Sequence, residues 1–423
     1  MNFSTYSPAA LKSAPSIQMV GEYKVEFLAY ESPDNMDKAP VMFLGGAFQS
    51  FSSFRNEVEQ ILEHCPVILA DFPSQGSNDQ LAPDLDMEDY ADLIAGFLTS
   101  QNVRKVQLMG VSYGSAMATL FASKYPELIE RLLISGITCF RRESLITLLE
   151  DSLKLLETGD MDAFATTAVC NLINHNRMEE TNIGATYRRL LFRQIARLND
   201  NERMRYAQNT RRLLRFEGFP AFPVCETLIA TGEYDNFTLP QENAAVARQC
   251  PNGTFAVIRN ADHLAQFEQK SASMEVVCRF MTGQSLEGIP GVDIYDPQAF
   301  DFANQRLQAR LRPMEQPYTL VDQATGKSHT VRMLNINFSG CELEQIHVDM
   351  ALTEASDELY LELPETGHTY HVRVLAKDKK RMRCLIMQRD IKAAESLLSY
   401  LKEHLLMIRD NQPAVEEVAG RLA

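Results

Sequence analysis

Up to about residue 281, short apolar runs alternate with longer stretches of helical period. Ile17–Val20 and Tyr23–Tyr30 read as a strand pair crossing Gly21-Glu22. Pro40–Leu44, Val67–Ala70, Val106–Met109 and Leu132–Ser135 read as short buried strands. Ser53–His64, Met87–Leu98 and Ser115–Tyr125 lie between them and repeat apolar residues at helical spacing. Strands alternating with helices in this way predict an α/β fold, with a mostly parallel sheet and right-handed crossovers. Residues 1–15 carry no period and read as a loose arm.

The rhythm breaks between Arg141 and Phe216. Leu145, Leu148, Leu149, Leu153 and Leu156 mark one amphipathic helix; Ala163–Asn174, Tyr187–Leu198 and Glu202–Phe216 mark three more. That is more helix than one crossover needs, and it predicts a helical cap inserted at about 141–216. Strands return at Cys225–Thr231 and Thr254–Ile258, with helices at Pro240–Arg248 and Leu264–Met281. Gly283–Pro297 is rich in Gly, Pro and acidic residues and reads as an interdomain linker, within 282–300. Beyond it, Val331–Ile336, Glu342–His347, Glu358–Leu363, Thr369–Leu375 and Met382–Met387 are short β-rich runs between turns. They predict a small antiparallel β-barrel or sandwich over 301–410, closed by a helix at Ile391–Ile408, before a tail at 411–423. The first domain is expected to span 1–281.

Composition narrows the function classes. A formal net charge of −15 argues against a nucleic-acid polymer as partner. No apolar run has signal-peptide form or the length of a membrane span. The eight cysteines, Cys139 among them, are scattered without a C-x-x-C pair, which points to reduced thiols in a cytoplasm and to no metal site.

The chemistry gathers at Gly110-Val111-Ser112-Tyr113-Gly114, a G-x-S-x-G set between a strand and a helix. Strand, sharp turn and helix are the context of a nucleophile elbow, which exposes the Ser112 hydroxyl at the end of a strand. A serine hydroxyl needs a base within reach. Of the eight histidines, His263 is best placed, after a strand late in the sheet. Asp235, in Gly232-Glu233-Tyr234-Asp235, gives the chain order Ser, Asp, His. Glu233 and Asp262 are rivals for the acid: Glu233 lies close to the strand end, and Asp262 would have to fold back from its place beside His263. Backbone N–H groups of Tyr113 and of Ala47 or Phe48, in the Gly45-Gly46 loop, are expected to form an oxyanion hole.

The blocks Val41–Ser53 (VMFLGGAFQSFSS), Val67–Ser77 (VILADFPSQGS), Gly110–Gly114, Gly232–Thr238 (GEYDNFT) and Asp262-His263 together resemble the α/β hydrolases. More narrowly they resemble the bacterial 3-hydroxyacyl transferases that make the lipid precursor of rhamnolipids. This resemblance, over roughly residues 20–281, implies a Ser112–Asp235–His263 triad and no catalytic cofactor. It implies that Ser112 accepts an acyl group from an ester or thioester, with an acyl carrier as a further partner, before a second 3-hydroxy acid resolves the acyl-enzyme. A plain carboxylesterase or thioesterase, with water as acceptor, is the alternative within enzymes.

In the second domain, Arg306 and Arg310 form an R-x-x-x-R that could grip phosphate bidentately, or simply face solvent on a helix. Asn337-Phe338-Ser339 offers short polar groups at a turn, and Lys377–Arg383 reads as a solvated hairpin tip. Taken together with Leu361–Leu375, these resemble the PilZ domain, which binds cyclic di-GMP through R-x-x-x-R and [D/N]-x-S-x-x-G. The resemblance implies cyclic di-GMP binding by Arg306, Arg310, Asn337 and Ser339. The second motif departs from the family, with Glu342 where glycine is expected and Gly340 early. A catalytically silent, cyclic di-GMP-responsive binding protein is the alternative outside enzymes.

Overall fold

The computed structural model describes residues 1–137, 141–181, 183–300, 310–346, 358–378 and 380–411. Arg306, Cys139, His347 and the tail from 412 on lie outside them. In chain order the first elements are β1 (Ser16–Val20), β2 (Tyr23–Tyr30), β3 (Val41–Leu44), α1 (Arg55–Ile61), β4 (Val67–Asp71), α2 (Asp89–Ser100), β5 (Val106–Val111), α3 (Tyr113–Lys124) and β6 (Ile129–Ser135). Four inserted helices follow: α4 (Glu143–Thr158), α5 (Met161–Leu172), α6 (Ala185–Ala196) and α7 (Asp200–Arg215). Then come β7 (Glu226–Gly232), α8 (Pro240–Gln249), β8 (Gly253–Ile258), α9 (Ala265–Glu268), α10 (Lys270–Met281) and β9 (Val292–Tyr295).

Nine strands form one mixed sheet in the order β1-β2-β4-β3-β5-β6-β7-β8-β9, parallel from β4 to β8 and antiparallel at its edges. The apolar runs are continuous because both faces are covered. Met42, Leu44, Leu108 and Ile134 belong to the core on one face, and Val41, Phe43, Met109 and Leu133 to the core on the other. Each such fully buried side chain contributes about 1.5–3 kcal/mol.

Three expectations are corrected. The N-terminal arm is tied down: Ser4 bridges to Tyr30, and the Met1 amino group donates to the Gln101 carbonyl at 2.6 Å. These are backbone bonds, which leave no side-chain period. The stretch expected as a linker carries β9, where only Val292 is buried, so it lacks the apolar run of an inner strand. The single helix expected at Leu264–Met281 is two, broken at Gln269, whose φ of −120° is not helical.

The C-terminal region is a separate closed antiparallel barrel of β10 (Pro317–Asp322), β11 (Lys327–Ile336), β12 (Gly340–Gln345), β13 (Leu359–Leu363), β14 (His368–Asp378) and β15 (Arg381–Met387), with α11 (Ile391–Asn411) after it. The sequence yields five of these strands. β10 was hidden by its opening proline and by its use of the acidic Asp322 at a buried position, yet it closes the ring by pairing with both β11 and β13. Tyr370 donates to the Ala393 carbonyl at 2.9 Å and so ties α11 to the barrel.

The chain forms two compact units, and the insertion is divided between them. Residues 142–171, which hold α4 and all of α5 but its last residue, group with the barrel. Asp151 on α4, 2% exposed, pairs with Arg389 at 2.5 Å, and the Thr167 hydroxyl on α5 donates to the Gln388 carbonyl at 3.0 Å. Helices α6 and α7 stay with the sheet. Arg212 of α7, fully buried, donates to the carbonyls of Leu85 and Ala82 and to Asn209. Helical periodicity reports that a face is apolar, not which partner covers it.

Candidate active site

The turn between β5 and α3 places Ser112 at φ 51°, ψ −117°, a strained conformation for a residue with a Cβ, costing about 1–3 kcal/mol. Its neighbours must be small. A Cβ on Gly114 would lie 2.3 Å from the Leu44 carbonyl oxygen, so the helix could not approach β3. The Ser112 N–H donates to Ser135 at 2.7 Å, fixing the turn against β6. Tyr113 opens α3, so its N–H is among those without an intrahelical acceptor, and the positive end of the helix dipole lies beside Ser112.

The loop after β3 abuts this turn: a Cβ on Gly46 would lie 3.1 Å from Ser112 Cβ. Gln49 shapes it, its side-chain oxygen accepting from Gly46 N at 2.7 Å. Ala47, which is exposed, and Phe48 lie within that turn. Helices α6 and α7 hold it from outside. Gln194 donates to the Phe48 carbonyl at 3.1 Å, and the Phe48 ring stacks on Tyr206 at 5.3 Å.

His263 and Asp235 come from the loops after β8 and β7. His263 Nε2 lies 3.3 Å from Ser112 Oγ, and its Nδ1 lies 3.0 Å from Asp235 Oδ2. The Asp235 carboxylate is oriented by the N–H groups of Phe237 and Thr238, each at 2.9 Å, and by the Thr238 hydroxyl at 2.8 Å. Burial pulls the His263 pKa down, but the charge and hydrogen bond of Asp235, with the charge of Asp262, outweigh it and raise it above the ordinary value. Phe237 packs edge-on against the imidazole at 5.1 Å.

The two rival acids have other partners. Glu233 accepts from Asn260 N at 3.0 Å, and Asp262 accepts from Leu264 N at 3.1 Å and Asn174 N at 2.6 Å. Sequence reasoning missed Gly136, Thr238 and Asn174. Gly136 follows β6 at φ +73°, and a Cβ there would lie 2.8 Å from His263 Cε1. A lone glycine after a buried strand was its one signal. Among the described residues no group of His, Cys, Asp and Glu is placed to hold a metal, and no helix is long and apolar enough to cross a membrane.

In the barrel, Leu311 bridges to Ile336 and brings Arg310 beside the Asn337 turn. Arg310 donates to Asn335 Oδ1 at 2.7 Å, and Asn335 donates in turn to Glu342 at 2.7 Å. Asn337 Oδ1 accepts from Ser339 N at 3.1 Å and Gly340 N at 2.9 Å, which closes the turn. Three of the four expected nucleotide-site residues thus lie along one edge; the fourth, Arg306, is outside the described residues.

An elbow serine on a mixed sheet, with a histidine and an aspartate delivered in that order from later loops, defines an α/β-hydrolase site. Residues 39–270 match the family model for the alpha/beta hydrolase fold, and the chain belongs to that family. It is 23% identical over 295 residues to the (R)-3-hydroxydecanoyl-ACP:CoA transacylase of Pseudomonas aeruginosa, covering 67% of this chain and 93% of that one. It is 24% identical over 229 residues to the (E)-2-((N-methylformamido)methylene)succinate hydrolase of Acinetobacter baylyi, covering 53% and 83%. Among solved structures, an α/β hydrolase from a Medee basin deep-sea metagenome library superposes with a TM-score of 0.56 at 19% identity, over 64% of this chain and 98% of that one. The enol-lactonase of Burkholderia xenovorans superposes at 0.53 with 14% identity, over 63% and 100%.

Proposed function

We propose that this chain is a cytoplasmic serine acyltransferase that takes a 3-hydroxyacyl group from a thioester onto Ser112. The observation that carries this is the hydrogen-bonded line Ser112–His263–Asp235 behind a strained elbow. His263 takes the Ser112 proton as Oγ bonds to the thioester carbonyl carbon. The oxyanion that forms is stabilised by the N–H groups of Tyr113 and of Ala47 or Phe48, each worth about 3–4 kcal/mol in such holes. The C–S bond breaks, and the departing thiolate receives the proton from His263. An acceptor hydroxyl or thiol then gives its proton to His263 and bonds to the acyl carbon; the bond from that carbon to Ser112 Oγ breaks, and His263 returns the proton to Oγ. The likeness to a transacylase supports a thioester donor, with an acyl carrier as the partner that brings it, and no cofactor enters these steps. The comparable likeness to a hydrolase makes water the alternative acceptor.

The barrel, on this proposal, is a PilZ-like module that binds cyclic di-GMP through Arg306, Arg310, Asn337 and Ser339 and regulates the enzyme. Its support is the motif resemblance and the placing of Arg310 beside the Asn337 turn.

The test is fluorophosphonate labelling, followed by product analysis with a 3-hydroxyacyl thioester. Labelling of Ser112, its loss in Ser112→Ala, and an ester or thioester product are the expected results. Free acid alone would convert the transferase to a thioesterase, and an unlabelled Ser112 would leave a silent hydrolase scaffold.

A further inference from the structure

The loops that carry Asp235 and His263 are joined directly where Tyr234 N donates to the Ala261 carbonyl at 2.7 Å and where Asn260 N donates to the Glu233 carboxylate at 3.0 Å. A third segment joins them again. Immediately after α5 the chain turns at Asn174, a fully buried residue that caps the short turn His175–Arg177 by accepting from Asn176 N at 3.2 Å. The Asn174 carboxamide donates to the Tyr234 carbonyl at 2.9 Å, one residue before Asp235. Its backbone N–H donates to Asp262 Oδ2 at 2.6 Å, one residue before His263. The other Asp262 oxygen accepts from Leu264 N at 3.1 Å, which sets His263 at the apex of an Asx turn.

We propose that Asn174 is a positioning residue for the acid–base pair, clamping the Asp235 loop to the His263 loop from outside both. This rests on the assignment of Ser112, His263 and Asp235 as the reacting set. The clamp holds the Tyr234 carbonyl through the carboxamide and the Asp262 side chain through the backbone N–H, so losing the carboxamide frees the Asp235 loop from the clamp and lets its carboxylate drift from the imidazole while each loop keeps its own internal bonds. Misplacement of about 1 Å in such a pair is enough to cost rate on the order of a hundredfold.

The charged and titratable groups around the clamp are defined. Glu268 of α9, buried, accepts from Asp262 N at 2.5 Å. Burial and then the charge of each partner raise the pKa of Glu268, and burial raises that of Asp262. Tyr187 of α6 is raised by burial and by these two carboxyls. Arg177 lies over the Tyr234 ring at 4.9 Å, and Thr238 Oγ1 lies 3.3 Å from His263 Nδ1.

The experiment compares Asn174→Ala with Asn174→Ser in the full chain, by the rate of fluorophosphonate labelling at Ser112 and by NMR titration of the His263 ring. Serine keeps an acceptor for the turn cap but is too short to reach the Tyr234 carbonyl. Both variants are expected to label at least about tenfold more slowly, with the His263 midpoint moved to lower pH as Asp235 loses its alignment. A serine variant that labels at the wild-type rate would reduce Asn174 to a turn cap and overturn the proposal. If the alanine variant fails to fold, the serine variant carries the test. If wild-type Ser112 does not label, the assignment of the reacting set fails. The His263 titration then decides the clamp alone, an unchanged midpoint in Asn174→Ser overturning it.

Discussion

A Cβ on Gly136 would lie 2.8 Å from His263 Cε1 and 3.5 Å from the Cα of Ser112, so the imidazole occupies space that only glycine leaves. The residue also sits at φ +73°, where a side chain is strained in any case. Gly136→Ala is therefore expected to turn the ring off Ser112 and to lower kcat by about a hundredfold, with about 1–2 kcal/mol lost in stability. Gly159→Ala is the control, because Gly159 has φ +75° but nothing within 4 Å of its Cβ position. That variant should lose stability and keep its kcat. Equal kcat losses in the two would show that backbone strain, not crowding of His263, is responsible.

The raised pKa of His263 sets the sign of the pH dependence. On the proposed mechanism only the neutral ring can accept the Ser112 proton, so kcat/KM should fall as pH drops through a value above the ordinary 6.5 or so of histidine. Asp235→Asn removes the main opposing charge and leaves burial, so the acid limb should move to lower pH and the plateau fall by about 10⁴. Stability responds in the opposite sense. A raised folded pKa favours the charged ring, so its contribution is whole below about pH 6.5 and is lost as pH rises through the folded value. A pH–rate profile and melting curves for both proteins measure the two effects. An acid limb that stays in place would remove Asp235 as the partner of His263.

The inner strands were legible because burial on both faces makes them unbroken apolar runs, as in Val41–Leu44 and Val106–Val111. The elbow at Ser112 was legible because glycines flank a turn between a strand and a helix, and the place of His263 beside it followed from its position after a late strand. What stayed hidden lacks a local signature. Asn174 meets its two partners 60 and 88 residues along the chain, and no spacing rule spans such distances. The division of the inserted helices was equally silent, since Asp151 finds its counterion 238 residues away. Breaking that buried pair from one side would strand a charge, at about 3–5 kcal/mol, which gives α4 a strong tie to the barrel.

The proposed nucleotide site makes a prediction that turns on Glu342. Its carboxylate accepts from Asn335, whose oxygen holds Arg310, so an incoming phosphate must draw the guanidinium from Asn335 near a fixed negative charge. Arg381, 3.9 Å from Glu342 and 62% exposed on its side chain, screens that charge weakly. Isothermal titration of cyclic di-GMP into the intact protein should therefore show binding that is abolished in Arg306→Ala/Arg310→Ala and weakened in Arg310→Ala. In Glu342→Gln, which keeps the bond from Asn335 but removes the charge, affinity should rise about two- to fivefold, the effect of roughly 0.5–1 kcal/mol of relieved repulsion. Because the repulsion is a surface term, that gain should shrink as salt is raised. Binding that survives the double arginine substitution would place the ligand elsewhere on the barrel. An absence of binding in every variant would make Glu342 and its hold on Asn335 a structural brace, and the barrel a module without this nucleotide.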